Sequence, residues 1–137
     1  MNPVLDASVY VSAISPSETL HVRARSLLLS HPPAEPYLVP ALFRIEVLAA
    51  LARRGEATPR IEAVDANIRG PRFVSCALDE ALLARAALVV RTARLRAYDA
   101  VYVALALLRD APLFTLDAEI AYRTGAAFPA LKVVGGG

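Results

Sequence analysis

Several residue types are scarce in this chain of 137 residues, and each scarcity narrows its chemistry. Cysteine occurs once, as Cys76. An intramolecular disulfide is therefore impossible, and zinc sites built on cysteine are excluded. Histidine occurs only as His21 and His31, neither at metal-ligand spacing, and Lys132 is the only lysine. No histidine is placed to activate Ser8 or Cys76, so serine- or cysteine-based hydrolysis has no support. A glycine-rich phosphate loop is missing as well, which leaves a nucleotide-binding reading without its motif. The longest uninterrupted apolar run, Ala100 to Leu108, falls well short of the roughly 20 residues a helix needs to cross a bilayer. The opening MNPVLDASVY has no basic segment followed by a long apolar one, so a reduced, cytoplasmic setting is expected. A formal net charge of +2 is too small for composition alone to mark a nucleic-acid surface.

Apolar residues make up 56% of the chain and mean hydropathy is +0.45. That is more than the roughly 45–50% of ordinary globular domains and ample for one core. Short apolar runs alternate with stretches of helical periodicity. Strands are expected at Pro3–Asp6, Tyr37–Val39, Arg72–Val74, Leu113–Thr115 and Leu131–Val134. Helices are expected after Asp6, over Glu18–Ser30, from Ala41 to Arg53 with Pro40 in the first turn, and over Pro59–Ile68. Further helices follow Asp79, run from Tyr98 to Leu108, and follow Asp117. Such alternation predicts an α/β fold of three layers, with a central, mainly parallel sheet of four to five short strands. Residues 1–134 form one expected domain, and Gly135–Gly137 a mobile tail.

Most acidic residues lie in polar or boundary segments, but four interrupt apolar runs: Asp6 in PVLDASV, Glu46 in LFRIEVLAAL, Asp99 in AYDAVYVALALL and Asp117 in LFTLDAEI. Glu46 has Leu42, Phe43, Ala49 and Ala50 at its i±3 and i±4 positions, so its helix face should pack inward. Pairing with Arg44, or snorkelling from a helix edge, is the ordinary explanation for it. The other three have an ordinary explanation too, because each stands where it can cap or begin a helix. Taken together, the four can converge over the carboxyl edge of the sheet, where ligands of open α/β sheets bind. Two carboxylates about 4 Å apart repel by roughly 4 kcal/mol at an effective dielectric near 20, so such a cluster demands a cation. Oxygen donors without cysteine or histidine favour Mg²⁺ or Mn²⁺.

In order along the chain, PVLDAS, RIEVLAAL, LRAYDAVYVALA and TLDAEI resemble the acidic signature of PIN-domain nucleases, most of all the VapC-type toxins of toxin–antitoxin pairs. The resemblance implies a metal-dependent endoribonuclease whose acids are Asp6, Glu46, Asp99 and Asp117, with Ser8 and Thr115 orienting them. It further implies an RNA substrate, a VapB-type antitoxin that binds the groove, and a homodimer. An antitoxin segment is expected over Leu20–Leu28 and Leu42–Leu51, with an arginine reaching the acids. Arg44 and Arg96 are candidates for holding phosphate. A haloacid-dehalogenase-like phosphotransfer reading is weak, because Ser8 stands where the second acid belongs and Lys132 lies beyond every acidic motif. The main alternative is a PIN-like module that binds RNA or a partner without cutting.

Overall fold

The computed structural model describes residues 2–136. Five short strands, β1 (Val4–Leu5), β2 (Tyr37–Pro40), β3 (Phe73–Cys76), β4 (Leu113–Phe114) and β5 (Val133–Val134), form one sheet in the order β3-β2-β1-β4-β5. Every neighbouring pair is parallel. Parallel strands need covering on both faces, which explains why β1, β2 and β4 read as unbroken apolar runs and are buried throughout. Seven helices among the described residues supply the cover: α1 (Ala7–Ile14), α2 (His21–Leu29), α3 (Leu42–Arg53), α4 (Thr58–Ile68), α5 (Glu80–Ala93), α6 (Ala97–Arg109) and α7 (Ala118–Ala127). Helix α1 packs on α2 and α3, and α3 on α4, while α5 packs on α6 and α7. These are the two helical layers of the expected α/β/α arrangement.

The chain steps outward from β1 to β2 and β3, then crosses back to β4 and β5. The direction of winding therefore reverses between β1 and β4, and a crevice opens beyond their carboxyl ends. Helix α6 leans on β1 and β2. Its stretch from Ala100 to Ala106 is buried without interruption, and the alanines there keep the helix close to the sheet. On the other face, Phe73 gathers Tyr10 and Phe43, with ring centroids 5.2 and 5.3 Å away.

Some element boundaries differ from the sequence reading. Pro40 closes β2 opposite Cys76 rather than opening the next helix. The Ala41 amide still donates to the Cys76 carbonyl (2.8 Å), which carries the strand pairing up to the residue that caps α3 at Leu42. Strand β3 begins at Phe73 because its partner Tyr37 sets the register. Helix α2 begins at His21, after a turn in which Glu18 pairs with Arg54. Gly135 and Gly136, the described residues of the glycine tail, leave little room for a side chain. Gly135 has φ +92°, and a Cβ there would lie 2.8 Å from Leu27 Cδ2 and 2.9 Å from the Thr115 carbonyl. Only glycine fits such an approach. Gly137 lies outside the described residues.

Candidate acidic site

Asp6 follows β1 directly, and its amide donates to the Phe114 carbonyl of β4 (3.0 Å). This bond sets the residue across the crevice from Thr115. Its carboxylate caps α1 by accepting from the Ser8 amide (3.3 Å). Oδ2 also accepts from the Ser8 hydroxyl (2.9 Å) and the Thr115 hydroxyl (2.8 Å). Thr115 is wholly buried, and its Oγ1 accepts in turn from the Asp117 amide (3.1 Å). One hydroxyl thus ties the ends of β1 and β4 together. Burial pushes the Asp6 carboxyl above its ordinary pKa, against the hydrogen bonds of Thr115 and Ser8, and the charge of Asp99 adds to the rise.

Glu46 lies half-buried on α3. The hydroxyl of Tyr102, a nearly fully buried residue of α6, donates to its Oε1 at 2.7 Å. Burial raises the Glu46 carboxyl, Tyr102 opposes the rise, and Asp6 and Asp99 reinforce it. Asp99 stands in the first turn of α6, with Arg96 Nε 3.4 Å from its Oδ2. Burial raises Asp99 as well; Arg96 counters this, while Asp117 and Glu119 push the same way as burial. Asp117 caps α7 by accepting from the amides of Glu119 (2.8 Å) and Ile120 (3.3 Å). Capping and clustering are therefore compatible roles: Asp6 and Asp117 each bind a helix amide and still share an electrostatic field with Asp99.

Of the residues singled out in the sequence, Asp6, Glu46, Asp99, Asp117, Ser8, Thr115 and Arg96 meet at this crevice. Arg44 does not. Two residues from Glu46 means about 200° around the helix, and Arg44 makes a two-pronged contact with Asp65 of α4 (2.6 and 3.0 Å). Pairing with Arg44, one ordinary explanation for Glu46, fails for the same reason. Sequence reasoning missed Tyr102 as the partner of Glu46, and Glu119 as a fifth acid in the field. Glu119 follows Asp117 by two positions, a signal that was available. Tyr102 is one more buried residue in an apolar helix, and nothing in its spacing marks it as a donor.

The donor set is all oxygen, which suits a hard divalent cation. Among the described residues, no group of three or more histidine, cysteine or acidic side chains already stands in ion-holding geometry. The acids repel one another, and the Ser8 and Thr115 hydroxyls both donate to Asp6 Oδ2. Two depressions share Glu46 as a wall. One, of about 260 Å³, reaches Ser8, Ser12 and the Glu18–Arg54 pair between α1 and α3. The other, of about 330 Å³, is lined by Glu46, Arg96, Ala97, Tyr98 and Asp99. A third, of about 410 Å³, lies between the β2–β3 end and Arg44 and Arg69, and has no acidic residue in its lining.

The family model of the PIN domain matches residues 4–126. No curated protein matches the chain in sequence. Among solved structures, the Mycobacterium tuberculosis toxin VapC20, which cleaves the sarcin–ricin loop, superposes with a TM-score of 0.74 at 19% identity, over 88% of this chain and 94% of that one. A toxin–antitoxin complex from Klebsiella pneumoniae gives 0.70 at 16% identity, over 97% and 96%. VapBC2 from Rickettsia felis, bound to a fragment of its promoter DNA, gives 0.66 at 13% identity, over 97% of each chain. At such identities the likeness is one of fold.

Proposed function

Because the chain belongs to the PIN-domain family, we propose that it is a metal-dependent endoribonuclease and the toxin of a toxin–antitoxin pair. The observation that carries this reading is the set of four carboxylates gathered at the β1–β4 crevice, three of them raised by burial and by one another. A chain with no use for a cation gains nothing from such a cluster, since like charges in a half-buried cleft cost stability. Asp6, Glu46 and Asp99 are the residues to hold a divalent Mg²⁺ or Mn²⁺ ion, with Asp117 serving a second ion or a contact through water. When bound, the ion makes water a usable nucleophile near neutral pH and offsets charge on the phosphate oxygens.

The chain's own groups supply the rest. Ser8 and Thr115 orient the Asp6 carboxylate through their hydroxyls, and Tyr102 does the same for Glu46. Outer partners of this kind fix the direction in which a carboxylate offers its lone pairs. Arg96, weakly held by Asp99 and 83% exposed, is free to meet a phosphate.

An antitoxin is proposed as the partner, since solved structures of similar fold include toxin–antitoxin complexes. Its segment is placed over α2 and α3, where Val22 (74% exposed), Leu29 (77%) and Ile45 (66%) leave apolar surface in water. A homodimer is proposed from the family resemblance and from the chain's apolar excess. No helix among the described residues is long and apolar enough to cross a membrane.

The test is cleavage of total RNA by the wild type and Asp99→Asn, each with Mg²⁺, Mn²⁺ or chelator. Discrete fragments from the wild type alone, lost in chelator, are expected. Equal cutting by both proteins overturns the site. No cutting by either, with RNA still bound, transfers the reading to a binding module.

A further inference from the structure

The depression on the α6 side of Glu46 contains a group that the acidic cluster does not need. Tyr98 precedes Asp99, is 61% exposed, and shares the lining with Arg96. Tyr10, Tyr37, Tyr102, Phe43, Phe73 and Phe114 are buried, so an aromatic face in water is unusual in this chain. The other strongly exposed ring, Tyr122, sits against Thr92 and Ala126, with none of the four clustered acids in its lining. Tyr98 is one helical turn ahead of Tyr102, which points inward to Glu46. The ring is thereby placed over the mouth of the site.

Electrostatics says what such a ring can do. A cation held by the carboxylates offsets their charge at one point, and the formal net charge of +2 offers a polyanion little steering elsewhere. Arg96 is the one cation in the lining of this depression, and the α6 N-terminus behind it has no side-chain cap. These can take one phosphate. Further affinity has to come from a contact that carries no charge, and stacking a nucleobase on an aromatic face is one. Bases paired in a duplex have both faces covered, so only an unpaired base can use the ring.

We propose that the depression lined by Glu46, Arg96, Ala97, Tyr98 and Asp99 is a nucleotide subsite, in which Tyr98 stacks on an unpaired base next to the scissile phosphate and Arg96 holds an adjoining phosphate. The subsite rests on the ribonuclease reading and assigns base recognition beside the acids to Tyr98.

The chain has no tryptophan, so Tyr98→Trp creates a single fluorescent reporter. In an Asp6→Asn background, which lies outside this depression, that protein is titrated with an eight-nucleotide RNA, either alone or annealed to its complement. Saturable quenching by the single strand is expected, at least about tenfold weaker for the duplex. In the same background, Tyr98→Ala should weaken single-strand binding by about tenfold or more, measured by anisotropy, while Tyr98→Phe stays within about twofold. Equal quenching by duplex and single strand, or full affinity in Tyr98→Ala, overturns the subsite and leaves the ribonuclease reading standing. Emission that follows protein concentration instead of RNA assigns the ring to a contact between copies and also overturns it. If the Asp6→Asn protein binds neither RNA, the substrate reading falls together with the subsite.

Discussion

Tyr102 and Glu46 face each other across α6 and α3, with the phenol donating to Oε1 at 2.7 Å. The two residues are 56 positions apart in the chain. Burial holds the Tyr102 hydroxyl far above its ordinary pKa, so it remains a donor at any pH the protein meets. A neutral donor can orient a carboxylate without cancelling its charge, whereas a guanidinium in its place would compete with the ion.

Replacing Tyr102 by Phe should therefore loosen metal binding more than the fold. Loss of an outer partner of a metal ligand typically costs about 10- to 100-fold in metal affinity. We expect a loss in that range for Mn²⁺, read by calorimetry or by the spin resonance of free Mn²⁺. Unfolding stability should fall by only about 1–2 kcal/mol. Unchanged Mn²⁺ affinity with a large drop in stability would make the contact purely structural.

Thr115→Val removes the donor to Asp6 and the acceptor of the Asp117 amide at once. Leaving buried polar groups unmatched costs about 1–3 kcal/mol each. A clear fall in melting temperature and weaker cleavage are expected, both recovered by Thr115→Ser. Failure of serine to rescue would trace the loss to packing of the methyl group.

Raised carboxyl pKa values set the direction of the pH dependence. Asp6, Glu46 and Asp99 bind protons more tightly folded than unfolded. Their contribution is fully present below the unfolded carboxylate pKa of about 4 and is lost as pH rises through the folded values. Asp65 runs the other way: the Arg44 hydrogen bond lowers its pKa, so its contribution is lost as pH falls. In chelator, the melting temperature should decline as pH rises above the unfolded carboxylate pKa of about 4, and Mg²⁺ should restore it mainly at the upper end. A flat or rising profile in chelator contradicts a self-repelling cluster.

Asp6→Asn should separate stability from function. Removing the most buried charge of the cluster is expected to raise the metal-free melting temperature at neutral pH. The same change should abolish cleavage and shrink the shift produced by Mg²⁺. A less stable, still active protein would exclude Asp6 from the ion site.

Arg44 and Arg96 make a paired control. Arg44→Ala breaks a solvent-exposed contact with Asp65 on the far side of α3 and should leave cleavage within about twofold, with little change in stability. Arg96→Ala should lower kcat/KM several-fold through KM. Reversed effects would put the phosphate contact on Arg44.

Much of this architecture is legible in the chain because it depends on local chemistry. Alternating apolar runs and helical periodicities predict a covered parallel sheet, since backbone groups must be paired and apolar faces buried wherever these segments go. Asp6 and Asp117 announce themselves as acids ending strands, and Glu46 as a charge in an apolar helix. What the chain cannot announce is who meets whom across the core. That Arg44 turns to Asp65 and not to Glu46, that Thr115 bonds Asp6 from 109 positions away, and that Tyr102 is a donor to Glu46 follow from sheet order and helix rotation. Those are tertiary quantities. A helix face is readable from spacing, but its partner is decided only when the sheet brings β1 beside β4 and lays α6 against them.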